Sequence, residues 1–216
     1  MPPCFFNGTC MDENLVKVLN KSILLFNRYG IRSISMDDIC RNMGISKKTL
    51  YRFVHSKSDL VEQMLDYQFS LVYDLFQNVL KDKLNAIDTL LVFSKHLGKL
   101  LKENKTNPSL EYDLRKYYPA IYHTHSERRD KLMIKYIKEN IRQGIGEGLY
   151  RSDLEPELVA NLYIKKLEDI LDPDFFPEGK FSFRKVFNMM FENHIRGIAN
   201  EEGIKYFEIK LQSKCR

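Results

Sequence analysis

Three serines, Ser35, Ser46 and Ser56, punctuate SMDDICRNMGISKKTLYRFVHSKSDL (35–60) so closely that the chain between them has room only for short helices. A serine ahead of a helix accepts a hydrogen bond from a free backbone N–H of the first turn. Ser35-Met36-Asp37-Asp38 has the S-x-x-D form of a capping box, in which the side chain three residues on bonds back to the cap. Gly44 ends the first short segment, which keeps Met36, Ile39, Cys40 and Met43 on one side, and Ile45 turns back to the core. Ser46 opens the second segment. Ser56-Lys57-Ser58-Asp59 repeats the box and starts a longer helix through Leu60, Met64, Leu65, Phe69 and Leu71 to about Leu80. Upstream, Leu15, Val18, Leu19, Ser22, Ile23, Phe26 and Tyr29 recur at helical spacing, and Gly30 stops the run. A long helix bracing two short ones joined by a glycine turn predicts a helix-turn-helix.

Lys47 and Lys48 stand in the first turn behind Ser46, at the positive end of the helix dipole, where folding alone disfavours cations. An external anion docked at that end makes them favourable, because lysines and backbone N–H groups converge on one charge. Leu50, Phe53 and Val54 form the apolar side of this third helix. Lys47, Lys48, Tyr51, Arg52 and His55 lie opposite, since steps of three and four return to one face. In a helix-turn-helix the second short helix enters the major groove with its N-terminal residues nearest the DNA. The charge balance agrees with a polyanionic partner: residues 1–60 hold nine Lys/Arg against five Asp/Glu, out of 34 and 29 in the whole chain.

Other classes are disfavoured. The apolar runs ILLF (23–26) and TLLVF (89–93) are far shorter than a membrane span. MPPCFFNGTC lacks the basic start and apolar core of a signal peptide, so a cytoplasmic location is expected. The sequon Asn7-Gly8-Thr9 then has no bearing, and Met11 is a candidate start, with residues 1–10 a flexible leader. Cys4, Cys10, Cys40 and Cys215 are scattered without metal-ligand spacing and are expected as reduced thiols, Cys40 in the core. No metal and no cofactor is expected.

Beyond residue 80 the pattern stays helical, with expected helices near 86–103, 109–117, 121–146, 155–171, 182–198 and 201–212. Asn107-Pro108, Tyr118-Pro119, Gly144 to Gly148, Glu155-Pro156 and DPDFFPEGK (172–180) punctuate them. The expected class is therefore all-α.

The stretch FNRYGIRSISMDDICRNMGISKKTLYRFVHSKSDL (26–60) resembles the TetR family of bacterial transcriptional regulators, with Phe-x-x-x-Gly, a Ser-initiated helix, a Gly-x-Ser-x-x-x-Leu-Tyr-x-x-Phe-like run and Ser-Lys-x-x-Leu. Residue types and spacings agree through three consecutive helices. Lys48 stands where the family often has Gly, and Val54 where an aromatic residue is usual, a change worth about 1 kcal/mol of packing. GIGEGLYRSDLEPELVANLY (144–163) more loosely resembles the region where family members enter their dimer-forming helices. The resemblance implies a DNA-binding domain over 11–58 and a larger effector-binding and dimerisation domain over 59–216.

It also implies sites. Ser35, Lys47, Lys48, Thr49, Tyr51, Arg52, His55 and Lys57 match positions placed on DNA. Ser35, the Tyr51 hydroxyl and Lys57 suit phosphates, which set register and supply affinity. Lys47, Lys48 and Arg52 suit base edges, and the Thr49 methyl suits thymine. A small-molecule effector pocket is implied among the aromatics of the larger domain: Phe69, Tyr73, Phe93, His96, Tyr112, Tyr117, Tyr118, Tyr122, Met133 and Tyr136. Residue by residue, most of these also read as core.

Two late segments are apolar nearly all round: Leu158, Leu162, Leu167 and Ile170 in one, Phe187, Met190, Phe191 and Ile195 in the next. Such helices must bury a second face, which predicts a homodimer through a four-helix interface. Two-fold symmetry would set the reading helices on a palindromic operator. The expected function is a ligand-responsive, dimeric DNA-binding regulator, a repressor by family analogy. Two other classes remain: a DNA-binding or interaction module without ligand control, and a helical metal-dependent enzyme drawing on His123, His125, Glu127 and Asp130. No H-E-x-x-H or nucleophile motif supports the enzyme.

Overall fold

The computed structural model describes residues 11–103, 108–170, 176 and 180–213, and those residues are helical apart from their connections. The helices are α1 (Glu13–Tyr29), α2 (Met36–Met43), α3 (Lys47–Leu50), α4 (Lys57–Lys81), α5 (Ala86–Glu103), α6 (Pro108–Tyr117), α7 (Pro119–Gly146), α8 (Pro156–Asp169), α9 (Phe183–Ile198) and α10 (Glu201–Ser213). The one β feature among them is an isolated bridge between Tyr150 and Ala199. The expected leader 1–10, with Cys4, Cys10 and the Asn7 sequon, lies outside the described residues, as do Leu171 and Cys215.

The chain divides into two compact units. The first takes in 11–74 and 108–129, so it holds more than the 11–58 segment: most of α4, all of α6 and the start of α7 belong to it. Its core joins Val18, Leu19 and Phe26 of α1, Ile39 and Cys40 of α2, Leu50 and Val54 around α3, Leu60, Val61 and Met64 of α4, and Leu110 and Leu114 of α6. Each such side chain contributes about 1.5–3 kcal/mol over leaving it in water. Val54 is fully buried here, so the smaller side chain still fills a core position.

Asp12 caps α1, accepting from the N–H groups of Asn14 and Leu15. Both halves of the capping box at α2 are present: Ser35 Oγ accepts from Asp38 N–H at 3.1 Å, and Asp38 Oδ2 accepts from Ser35 N–H at 2.8 Å. Gly44 closes α2 in the left-handed region (φ 65, ψ 32), and Ile45 N–H reaches back to Cys40 O at 3.1 Å. This i to i−5 bond marks a Schellman ending, which needs that backbone conformation. The box at α4 is only half formed. Ser56 Oγ accepts from Asp59 N–H at 3.0 Å, but Asp59 Oδ2 takes the N–H of His55 at 2.6 Å, one residue before the serine.

The second unit takes in 75–103 and 130–213 of the described chain. Ala86, Ile87, Leu90 and Leu91 of α5 pack with Phe191, Ile195 and Ile198 of α9 and Phe207 of α10. Tyr150 fills the end of α7: its hydroxyl donates to Asn140 Oδ1 at 3.2 Å, and Asn140 Nδ2 donates to Ala86 O at 2.9 Å. Gly144 makes room for that ring, since a Cβ there would stand 2.1 Å from Tyr150 Cδ2.

Candidate nucleic-acid interface

The third helix is shorter than its apolar side predicts. Only Lys47–Leu50 are α-helical, after which Arg52 and Phe53 close i to i−3 bonds on Thr49 and Leu50. That tighter winding turns Val54 inward while leaving Tyr51, Arg52 and His55 exposed. Ser46 caps the helix as expected, accepting from Thr49 N–H at 3.1 Å, and its hydroxyl also meets Thr49 Oγ1 at 2.9 Å. Thr49 is half-buried, so its methyl is less available than its position on the helix implies.

Lys47 is not left facing the helix dipole alone. Asp37, in the first turn of α2, pairs with its ammonium at 2.8 Å, and that hydrogen bond holds the lysine pKa above its ordinary value. The expectation that folding alone disfavours Lys47 is therefore corrected: Asp37 supplies a negative charge from within. No periodicity relates residues 37 and 47, because the Gly44 turn lies between them. Lys48, Tyr51 and Arg52 are exposed and make no side-chain hydrogen bond or ion pair among the described residues.

Ser35 and Lys57 are both engaged internally. The Ser35 hydroxyl donates to Asp38 Oδ2 at 2.5 Å, which with the backbone bond lowers the Asp38 pKa. Lys57 Nζ donates to Ile31 O at 2.6 Å and stands 6.0 Å from the Phe26 ring centroid. Burial lowers its pKa, opposed by the charges of Asp113 and Asp38. An ammonium has three N–H donors, so Lys57 keeps two beyond this strut. Cys40 is buried and its thiol pKa is raised, first by burial and then by Asp37, which keeps it protonated.

A set of contacts that sequence periodicity did not reveal fastens α6 to this unit. Buried Asp113 accepts the Arg32 N–H at 2.9 Å, and Arg32 Nη1 donates to the Tyr117 hydroxyl at 2.9 Å. Asp113 lies between Leu110 and Leu114 of the core, and an acid beside an apolar stripe is the one signal that could have flagged it.

The residues expected in an effector pocket divide between the units. In the first, Phe69 is buried, stacks with Tyr73 at 6.5 Å and carries Arg128 over its ring at 4.0 Å. His125 meets Phe69 edge-on at 6.4 Å, and burial, with Arg129 and Arg128, lowers its pKa to about 4. Tyr118 and Tyr122 are half-buried, whereas Tyr112 and Tyr117 are exposed on the surface, 56% and 39%. In the second unit, Phe93 and Tyr136 sandwich Phe76 at 4.2 and 4.1 Å, and Met133 is buried. His96 is exposed, its Nδ1 2.8 Å from Val92 O.

The expected interface residues also separate. Leu158 and Leu162 are exposed, as is Met189, and Met190 is half-buried. Leu167, Ile170, Phe187, Phe191 and Ile195 are buried within the protomer, so α9 spends most of its apolar surface at home. His194 lies under the Tyr163 ring at 4.1 Å, and burial, helped by Lys166, lowers its pKa to about 4. Among the described residues no three His, Cys, Asp or Glu side chains are grouped to hold a metal, and no helix is long and apolar enough to cross a membrane.

Comparison with known proteins agrees with this architecture. Residues 18–64 match the family described as bacterial regulatory proteins, tetR family. An uncharacterized HTH-type transcriptional regulator of Bacillus subtilis, YvaF, is 23% identical over 197 residues, covering 86% of this chain and 96% of the relative. The HTH-type transcriptional repressor KstR2 of Mycobacterium tuberculosis is 22% identical over 186 residues, 86% of this chain and 92% of the relative. The structure of that ketosteroid transcriptional regulator matches with a TM-score of 0.66 at 19% identity, over 88% of this chain and 97% of its own. A transcriptional regulator from Saccharomonospora viridis in complex with choline matches with a TM-score of 0.69 at 18% identity, over 88% of this chain and all of the other (100%). These likenesses extend through both units of the chain, whereas the family match, over residues 18–64, lies within the first.

Proposed function

We propose that this chain, a member of the TetR family of bacterial regulatory proteins through its N-terminal domain, is a dimeric transcriptional repressor that a small molecule releases from a palindromic operator in the cytoplasm. The observation that carries the reading is the face of α3. Leu50 and Val54 are fully buried on one side, while Lys48, Tyr51 and Arg52 are exposed on the other with no side-chain hydrogen bond or ion pair among the described residues. Arg52 suits bidentate contact with guanine, and Lys48 suits an acceptor in the same groove. The Tyr51 hydroxyl suits a phosphate, which positions the helix without reading sequence.

Homodimerisation through α8 rests on Leu158 and Leu162, which expose apolar surface one helical turn apart. Effector control rests on the buried aromatic clusters around Phe69 and around Phe76, together with the choline bound by a structural relative. An effector that favours one spacing of the two reading helices opposes DNA by the same free energy with which DNA opposes it. The chain has no catalytic role in this account.

The test is selection of bound fragments from genomic DNA, followed by fluorescence anisotropy on the recovered site and a shuffled duplex at several salt concentrations. The expected result is at least a hundredfold preference with two protomers bound. Equal binding to both duplexes at all salt concentrations would overturn the proposal.

A further inference from the structure

Among the described residues, two cations that meet at the C-terminal end of α6, Lys116 and Arg32, pair with no carboxylate through their side chains. Lys116 Nζ donates to the Tyr112 hydroxyl at 2.7 Å and stands 5.1 Å and 5.5 Å from the ring centroids of Tyr112 and Tyr117. The groups that raise its pKa are those two tyrosines, with no carboxylate among them. Arg32 lies over the Tyr117 ring at 5.4 Å, its Nη1 on the Tyr117 hydroxyl, and its side chain pairs with no carboxylate among the described residues. Both cations are exposed, so each keeps N–H donors turned to water.

The tyrosines hold these groups in place without neutralising them. Surface cation and ring pairs stabilise a helix only modestly, and a last-turn lysine also suits the negative end of the dipole. Those terms explain one cation on α6. They do not explain why a second, from the α1–α2 turn, is brought to the Tyr117 ring.

The position of that second cation is informative. Arg32 follows Ile31, whose carbonyl receives Lys57, and precedes Ser35, the cap of α2. Arg32 N–H is tied to Asp113, so α6 is fixed to the turn beside the groups proposed for phosphate contact. Asp113 itself is buried and accepts the backbone N–H of Arg32, so it does not take up the side chain of either cation.

We propose that Arg32 and Lys116, seated on Tyr117 and Tyr112, contact DNA phosphates flanking the sequence read by α3, so that the footprint extends beyond the helix-turn-helix. This rests on the reading of α3 as the recognition helix. Duplex DNA fits the patch because phosphates recur along its edge and reward each added cation with counter-ion release. The contact adds affinity and salt dependence without adding sequence preference.

The experiment compares the full-length protein and Lys116→Gln on the selected operator, once trimmed to the palindrome and once with about ten added base pairs on each side, across a salt titration. Each phosphate contact steepens the log–log salt dependence by ~0.9, so two protomers of Lys116→Gln should lose about 1.8 of slope on the long duplex. The variant should match the wild type on the trimmed duplex and in its melting midpoint. Equal slopes for wild type and variant on the long duplex would overturn the proposal, as would equal weakening on both lengths. Unchanged DNA binding with weakened binding to poly-glutamate would overturn it in favour of an acidic polypeptide. Arg52→Ala is the separate control. If the wild type shows no preference for the operator and Arg52→Ala changes nothing, the reading of α3 itself has failed, and this inference falls with it.

Discussion

Gly44→Ala isolates the backbone requirement of the turn between α2 and α3. The residue sits at φ 65, and no atom outside its neighbours comes within 4 Å of the place a Cβ would occupy. Sterics with the rest of the unit therefore contribute nothing, and the cost is conformational. An L-residue in the left-handed region loses about 1–2 kcal/mol. Replacing Gly by Ala recovers about 0.4–1 kcal/mol by restricting the unfolded chain. The expected net loss is about 1 kcal/mol, and Gly44→Asn should lose less, because asparagine visits that region more readily. Urea unfolding at one fixed protomer concentration measures both, by the midpoint at unchanged slope. Alanine as stable as glycine, or asparagine costlier than alanine, would refute the left-handed turn and with it the orientation assigned to α3.

Leu158→Glu with Leu162→Glu should convert the protein to monomers in sedimentation at micromolar concentration while leaving its helical circular dichroism unchanged, since both side chains are already exposed; an unchanged dimer would refute their role. Burial of His194 gives a stability profile with a definite sign. Its folded pKa of about 4 lies below the ordinary 6.5, so the unfolded chain takes up the proton first. The contribution is complete above pH 6.5 and is lost as pH falls towards 4, on the order of 3 kcal/mol. His125 has the same sign, and its pKa is also about 4. His194→Phe should flatten part of this decline, and an unaltered pH profile would count against a buried neutral imidazole.

Local chemistry made the fold legible. Capping serines, Gly44 and apolar spacing marked the helices to within a few residues, because each signal acts over three or four positions. The least accurate boundary was α3, where i to i−3 bonds end the α-helix at Leu50 although Phe53 and Val54 continue its apolar side. What the sequence concealed were contacts between distant segments. Lys47 looked unpaired until α2 brought Asp37 to it, and Lys57 looked free until the α1–α2 turn offered the Ile31 carbonyl. Periodicity likewise could not decide which face of an apolar helix is used at home: Phe187, Phe191 and Ile195 turn inward, while Leu158 and Leu162 do not. Tyr112 and Tyr117 were placed among the pocket aromatics through the family resemblance; both are exposed, with Lys116 and Arg32 over their rings.

Base reading falls, in the proposed function, to the exposed face of α3. Its most direct measurement is the affinity of wild type, Tyr51→Phe and Arg52→Ala across an operator panel in which each base pair is replaced in turn. Arg52→Ala should lose about 1–3 kcal/mol of discrimination at one or two symmetry-related positions and retain it elsewhere. Tyr51→Phe should weaken every duplex alike, as a phosphate contact does. Uniform weakening by Arg52→Ala, or a panel on which all three proteins keep the same profile, would contradict the account.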